Sequence, residues 1–232
     1  MSFFSSADER NPSLFIVKRI FFLKKKILQK GGLNMKLKDS RTFINLAASF
    51  AGETQARVRY EFIEYGARNE GYNALAELVD KVVYNEFNHA RMFYTAMQQC
   101  HEDIIKNVDI EGGYPFREKW DLIENFRFAA EDERKEAEEV YPHFAKVARE
   151  EGFEDIALLY ERIAGIEQSH EQLFNAIYNA MKEGKLYSSD TPVEWVCGGC
   201  GYKAKSNEAW DECPVCKAAK GVVLIDTCRF LK

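Results

Sequence analysis

Residues on one side of the segment 40–67 recur at three- and four-residue steps: Phe43, Leu46, Ala47, Phe50, Ala51, Thr54, Val58 and Phe62. That period lines one helix face and gives it something to bury. Ser40, or Asp39 before it, offers a side-chain acceptor to the first free N–H groups, so a helix is predicted from there to about Ala67. Gly71 interrupts the pattern, and a second helix is predicted from about Tyr72 to Cys100. Residues 101–116 contain Gly112, Gly113 and Pro115 and read as a connection. A third helix is predicted over about Phe116–Glu151, kinked at Pro142, and a fourth from Phe153 to Lys182 after a break at Gly152. Residues 184–192, with Gly, Ser, Asp, Thr and Pro, read as a linker, and residues 193–232 are too few to hold a core without a metal. The pattern therefore predicts an all-α four-helix bundle over 36–183 followed by a small metal-bound domain.

The two helix pairs repeat each other at an offset of 81. Ala67-Arg68-x-Glu70-Gly71-Tyr72 matches Ala148-Arg149-x-Glu151-Gly152-Phe153. Fifteen residues past each glycine stands the same motif, Glu86-x-x-His89 and Glu167-x-x-His170, followed by Phe93 and Phe174; upstream, Tyr60 matches Tyr141. Residues three apart share a helix face, so each motif can turn a carboxylate and an imidazole toward one ion. Two such helices grip a pair of ions if each remaining helix adds carboxylates, the plan of ferritin-like bundles. The first helix offers Glu53, within Ala51-Gly52-Glu53-Thr54-Gln55-Ala56-Arg57, and the third offers Glu133 and Glu136. Here the repeat slips by one: seven residues separate Glu53 from Tyr60 and eight separate Glu133 from Tyr141; a regular helix keeps either spacing roughly on one face, a π-bulge would absorb the extra residue, and the spacing does not choose between the two. A single Glu-x-x-His usually lies on a solvated face; two in matched context read as metal ligands. Glu131, Glu138 and Glu139 read as a solvated acidic face, and His101 and His143 as surface residues. Tyr60 and Tyr141 are either core aromatics or hydrogen-bond donors to the ligands. Oxygen and nitrogen donors without thiolate suit iron or manganese.

In the tail, Cys197-Gly-Gly-Cys200-Gly-Tyr202 and Cys213-Pro-Val-Cys216 bring four thiolates to one tetrahedral ion, zinc or iron. Spacing alone does not choose between the two metals. Trp195, Tyr202 and Trp210 are the expected core of this domain; Cys100 and Cys228 read as structural or free thiols. Paired rather than scattered cysteines argue for a reducing, cytoplasmic setting.

Composition adds exclusions. The 232 residues are 46% apolar and 30% charged, with a net charge of −5, which argues against nucleic acid as a partner. No apolar run is long enough to span a membrane. Residues 1–34 stand apart, with seven basic and two acidic residues. They read as an amphipathic or targeting segment, or as a translated leader ahead of a true start at Met35. The last is preferred, because Lys30-Gly31-Gly32 can be encoded by a purine-rich ribosome-binding site.

These motifs together closely resemble rubrerythrin over residues 36–232: Ala-Gly-Glu53-Thr-Gln-Ala-Arg, Glu86-Phe-Asn-His89-Ala, Glu133-Arg-Lys-Glu136, Tyr141-Pro-His-Phe-Ala, Glu167-Gln-Ser-His170, and Cys-x-x-Cys-Gly-Tyr with Cys-Pro-x-Cys. The resemblance implies a ferritin-like di-iron domain and a rubredoxin-like iron domain that reduce hydrogen peroxide with electrons from NAD(P)H through separate reductases. It implies Glu53, Glu86, His89, Glu133, Glu136, Glu167 and His170 as ligands of two iron ions, and Cys197, Cys200, Cys213 and Cys216 as ligands of a third. It also implies an exchange of His89 for Glu136 on one iron with redox state, and a head-to-tail homodimer. Glu53, Glu133 and Glu136 are the candidates for proton transfer, with Tyr60 and Tyr141 beside them. Rival readings are an iron-oxidising storage protein, an oxygen reductase using the same irons, and a non-catalytic module with a zinc ribbon.

Overall fold

The computed structural model describes residues 35–100, 107–113 and 120–230. The reading of residues 1–34 as an extension, and of His101 as a surface residue, lies outside them. Helix α1 spans Arg41–Asn69, α2 Asn73–Met97, α3 Leu122–Lys135, α4 Tyr141–Glu150 and α5 Glu154–Lys182. A π-helical turn, Glu136–Val140, joins α3 to α4. Ser40 caps α1, its Oγ accepting from the Phe43 N–H at 3.1 Å. Both repeat glycines end their helices in the left-handed region, Gly71 at φ +88° and Gly152 at +87°. Each closes the same double turn: Tyr72 N–H to Ala67 C=O at 2.8 Å with Gly71 N–H to Arg68 C=O at 3.0 Å, and Phe153 to Ala148 with Gly152 to Arg149.

The third helix differs from expectation at both ends of its middle. Its described part starts at Leu122, since Asp121 is extended (φ −155°) and its side chain accepts from the Glu124 N–H, while the predicted start at Phe116 falls outside the described residues. Its irregularity is the π turn, with Pro142 seated in the first turn of α4 behind it.

Helix α1 packs along α2, and α3 and α4 pack along α5. Two apolar clusters fill the ferritin-like bundle. One holds Ile63, Leu75, Val79, Phe126, Phe174 and Ile177; the other holds Leu46, Phe93, Tyr141, Tyr160 and Ile163. On every helix the predicted ligand positions fall between the residues of one cluster and those of the other. A polar layer thus crosses an otherwise apolar core, walled above and below.

After α5 the chain enters a small two-stranded module, with β1 (Ser188–Val196) antiparallel to β2 (Lys203–Glu208). β1 begins inside the stretch 184–192 expected as a linker. Trp195, Ala209 and Val223 are buried together, with Trp210 and Tyr187 against them, and Tyr202 meets Trp210 at 5.3 Å. Among the described residues no helix is long and apolar enough to cross a membrane.

Candidate metal centres

Four helices converge on the polar layer. Glu53 comes from α1, Glu86 and His89 from α2, Glu133 from α3, and Glu167 and His170 from α5; all six are buried, none more than 4% exposed. Their donor atoms form two overlapping groups, Glu53–Glu86–His89–Glu167 and Glu86–Glu133–Glu167–His170, each with all atoms within 4.8 Å of one another. Glu86 and Glu167 belong to both. Glu167 turns Oε1 to His89 Nδ1 and Oε2 to His170 Nδ1, each at 2.8 Å. Glu86 does the same in reverse, Oε2 to His89 at 3.2 Å and Oε1 to His170 at 3.0 Å. One carboxylate facing two imidazoles with its two oxygens is the geometry of a bridge between two ions. The third-helix acid Glu136 lies outside both groups and is half-buried.

The two repeat tyrosines cross over. Tyr60 of the first half donates to Glu133 of the second at 2.5 Å, and Tyr141 of the second half donates to Glu53 of the first. Their rings rest on the opposite half's phenylalanines, Tyr60 against Phe174 (4.9 Å) and Tyr141 against Phe93 (5.5 Å). The π turn between Glu133 and Tyr141 takes up the extra residue, so both pairs meet although the spacing differs.

The residues fit a pair of hard-to-borderline cations. Glu53 Oε2, Glu86 Oε1, Glu133 Oε2, both Glu167 oxygens and His170 Nδ1 are buried without a well-aligned hydrogen bond, the carboxylates and imidazoles pointing into a shared centre and not along each other's N–H directions. Native interiors rarely leave such atoms unmatched, and here six converge. Their electrostatics point the same way. Burial, with Glu167 and Glu86 beside it, holds the Glu53 carboxyl well above its usual range, and burial with Glu86 does the same to Glu133. Burial opposes protonation of the histidines, yet the surrounding carboxylates push His89 up to about 12 and His170 to about 9. The cluster is short of positive charge, which two metal ions supply.

In the tail, Cys197 Sγ lies 3.6 Å from Cys216 Sγ, and Cys200 Sγ 3.7 Å from Cys213 Sγ. A disulfide needs about 2.05 Å; a tetrahedron of thiolates around one ion at about 2.3 Å has edges near 3.8 Å. Burial opposes ionisation of Cys213, but the Cys216 and Val215 N–H groups and neighbouring thiols bring it down to about 7. Cys228 is exposed and Cys100 half-buried, both outside this group.

Three participants were not evident in the sequence. The Asn85 amide sits 3.1 Å from His170 Nε2 and fixes that ring with Nδ1 toward the carboxylates. Arg59 pairs with Asp132 across α1 and α3, and its guanidinium lies 5.7 Å from the Tyr60 ring centre. None has a counterpart at the repeat offset: Ile166 matches Asn85, and Val140 matches Arg59.

The Rubrerythrin family model matches residues 45–178. A rubrerythrin of Clostridium perfringens is 38% identical over 180 residues, covering 78% of this chain and 91% of that protein. One of Porphyromonas gingivalis is 33% identical over 190 residues, covering 82% and 92%. Among solved structures, fully reduced, all-ferrous nigerythrin is similar at a TM-score of 0.52 and 26% identity, over 86% of this chain and 98% of that one. The glutamate–histidine centre and the four-cysteine centre accordingly fit a di-iron site and a rubredoxin-like iron.

Proposed function

The chain belongs to the rubrerythrin family of di-iron oxidative-stress oxidoreductases, and from that premise we propose that it is a cytoplasmic peroxidase that reduces hydrogen peroxide to water. The reading rests on one observation above others: two buried carboxylate–imidazole groups share Glu86 and Glu167 on the same chain as a four-thiolate centre. Glu86 and Glu167 would contribute to both ions, Glu53 and His89 would hold one, and Glu133 and His170 would hold the other. Glu136, beside both groups, is the reserve ligand for the His89 side. When bound, the iron pair supplies one electron from each ion to H2O2 + 2 H+ + 2 e− → 2 H2O, and the thiolate-held iron returns electrons singly.

The protein's own groups orient and protonate. The Tyr60 and Tyr141 hydroxyls stay protonated, their acidity suppressed first by burial and then by the carboxylates they serve. They fix Glu133 and Glu53 by donation. Burial, then Glu167 and Glu86, raise Glu136 above its ordinary range, and with iron bound to those two carboxylates Glu136 would be the acid placed to take up or release a proton beside the centre. Phe93 and Phe174, both fully buried, keep water from the inner side.

Electrons come from a reductase fed by NAD(P)H or from a rubredoxin. The module sits at the Gly71 end of the bundle, and at 1.5 Å per residue the metal layer lies about 20–27 Å along α1 and α2 from there. Tunnelling falls off exponentially with distance, so on this reading the module would serve the glutamate–histidine centre of a second copy in a head-to-tail homodimer. The four-thiolate centre also separates this reading from iron storage, which has no use for a redox tail. The test is anaerobic addition of peroxide to the fully reduced protein. Peroxide consumption with return of the red thiolate–iron colour supports the reading; zinc in the tail, or no return of colour, overturns it.

A further inference from the structure

The tetracysteine module does not hang from its strand; it is seated on the bundle at a contact made by two glycines. Gly221, in the short 3-10 turn Lys220–Val222, is buried. A Cβ placed on it falls 1.6 Å from the Gly71 carbonyl oxygen, 2.8 Å from the Gly71 carbonyl carbon and 3.5 Å from the Asn73 nitrogen. These are backbone atoms of the α1–α2 turn, held by the double hydrogen bond that ends α1, so they cannot swing aside. Around this point Tyr187 stacks on Tyr72 with ring planes 2° apart and centroids at 6.3 Å. Ile225 and Phe230 pack on the bundle's apolar cluster. Beside the contact a cleft of about 300 Å³, lined by Tyr72, Met181, Tyr187 and Lys220, separates module from helices. The seat is therefore narrow, and its closest point is the side-chain-free one.

We infer that Gly221 is a positioning residue for electron delivery: its missing side chain lets the module dock on Gly71, which fixes where the four-thiolate centre is presented to the iron pair that accepts its electrons. The inference rests on the peroxidase reading. An alanine at 221 forces the module back by about 2 Å to reach ordinary van der Waals separation. Neither centre loses a ligand residue, because Gly221 is five residues past Cys216 and a Cβ on it meets the backbone of Gly71 and Asn73 first. Displacement at this scale changes transfer rates without changing the centres themselves.

The test compares full-length, iron-loaded wild type with Gly221→Ala by stopped flow, after anaerobic reduction and mixing with hydrogen peroxide. The variant should keep its iron content, its red spectrum and its rate of peroxide consumption in the first turnover. Return of the red colour should slow by roughly tenfold or more. A colour-return rate within twofold of wild type, with both centres loaded, overturns the inference. Should Gly221→Ala lose its chromophore, Tyr187→Ala decides: slowed colour return with intact spectra supports a docking role, and an unchanged rate overturns it. Failure of the peroxidase reading looks different, since wild type itself would then show no colour return.

Discussion

The hydroxyl of Tyr60 donates to Glu133 Oε1 at 2.5 Å, although 73 residues of chain separate them. The mirror pair, Tyr141 and Glu53, repeats the bond in the opposite sense. Each half of the duplicated bundle therefore holds the other half's outer carboxylate in place.

Replacing Tyr60 by Phe leaves the ring packed on Phe174 and removes only the donor. Loss of such an orienting bond should cost roughly 10-fold in iron affinity or peroxide turnover, and about 1 kcal/mol of stability. Tyr141→Phe should give a matching loss. Iron titration and thermal unfolding of both variants measure it; a large loss in one and none in the other would contradict their equivalence.

Glu167→Ala removes an oxygen from each of the two groups at once. Of the three candidate ions, the two in the bundle should be lost together, with peroxidase activity, while the red tail chromophore persists. Glu53→Ala touches one group only and should spare the ion held by Glu133 and His170. Iron analysis beside the visible spectrum separates these outcomes.

Glu151 caps the start of α1 from the far end of the sequence. It accepts from the Thr42 N–H at 2.9 Å, the Thr42 hydroxyl at 2.6 Å and the Arg41 N–H at 3.2 Å. Burial raises its pKa, and these donors outweigh it, so the folded value lies below the ordinary one. A depressed folded pKa gives stability that is present above the unfolded pKa and is lost as pH falls through the folded one. Glu151→Gln should thus cost about 1 kcal/mol at pH 7, and the gap to wild type should close at acid pH. Urea unfolding at both pH values reads it out.

The tail has few apolar residues of its own, chiefly Trp195, Ala209 and Val223. Cys213→Ala should abolish the red colour and unfold residues 193–232, leaving the helical circular dichroism nearly unchanged. A tail that keeps its Trp195 amide protected from hydrogen exchange would show that the apolar cluster suffices without metal.

Much of the centre was legible in the chain because helical ligation is local. Glu86 with His89, and Glu167 with His170, must stand three apart to share a face, and duplication printed the motif twice. The eight-residue step from Glu133 to Tyr141 marked an irregular place, but a regular helix could also have carried it, and only the fold shows the π turn. Other features were hidden because they depend on which segments become neighbours. The crossing of Tyr60 and Tyr141, the Arg59–Asp132 pair and the Asn85 contact leave no spacing to read. The start of α3 turned on Asp121, whose capping role competes with a run of helix formers on either side. Gly221 resembles any loop glycine until Gly71 is found against it.

The π turn makes the molecule unequal-handed. Glu136 has no acidic counterpart at the repeat offset, where Gln55 stands, nor one position further, at Ala56. A perfectly copied half would have treated its two ions as twins. Here the residue that opens the π turn is an acid with only an amide or a methyl at the matching places of the other half, so left and right of the centre are different chemical places.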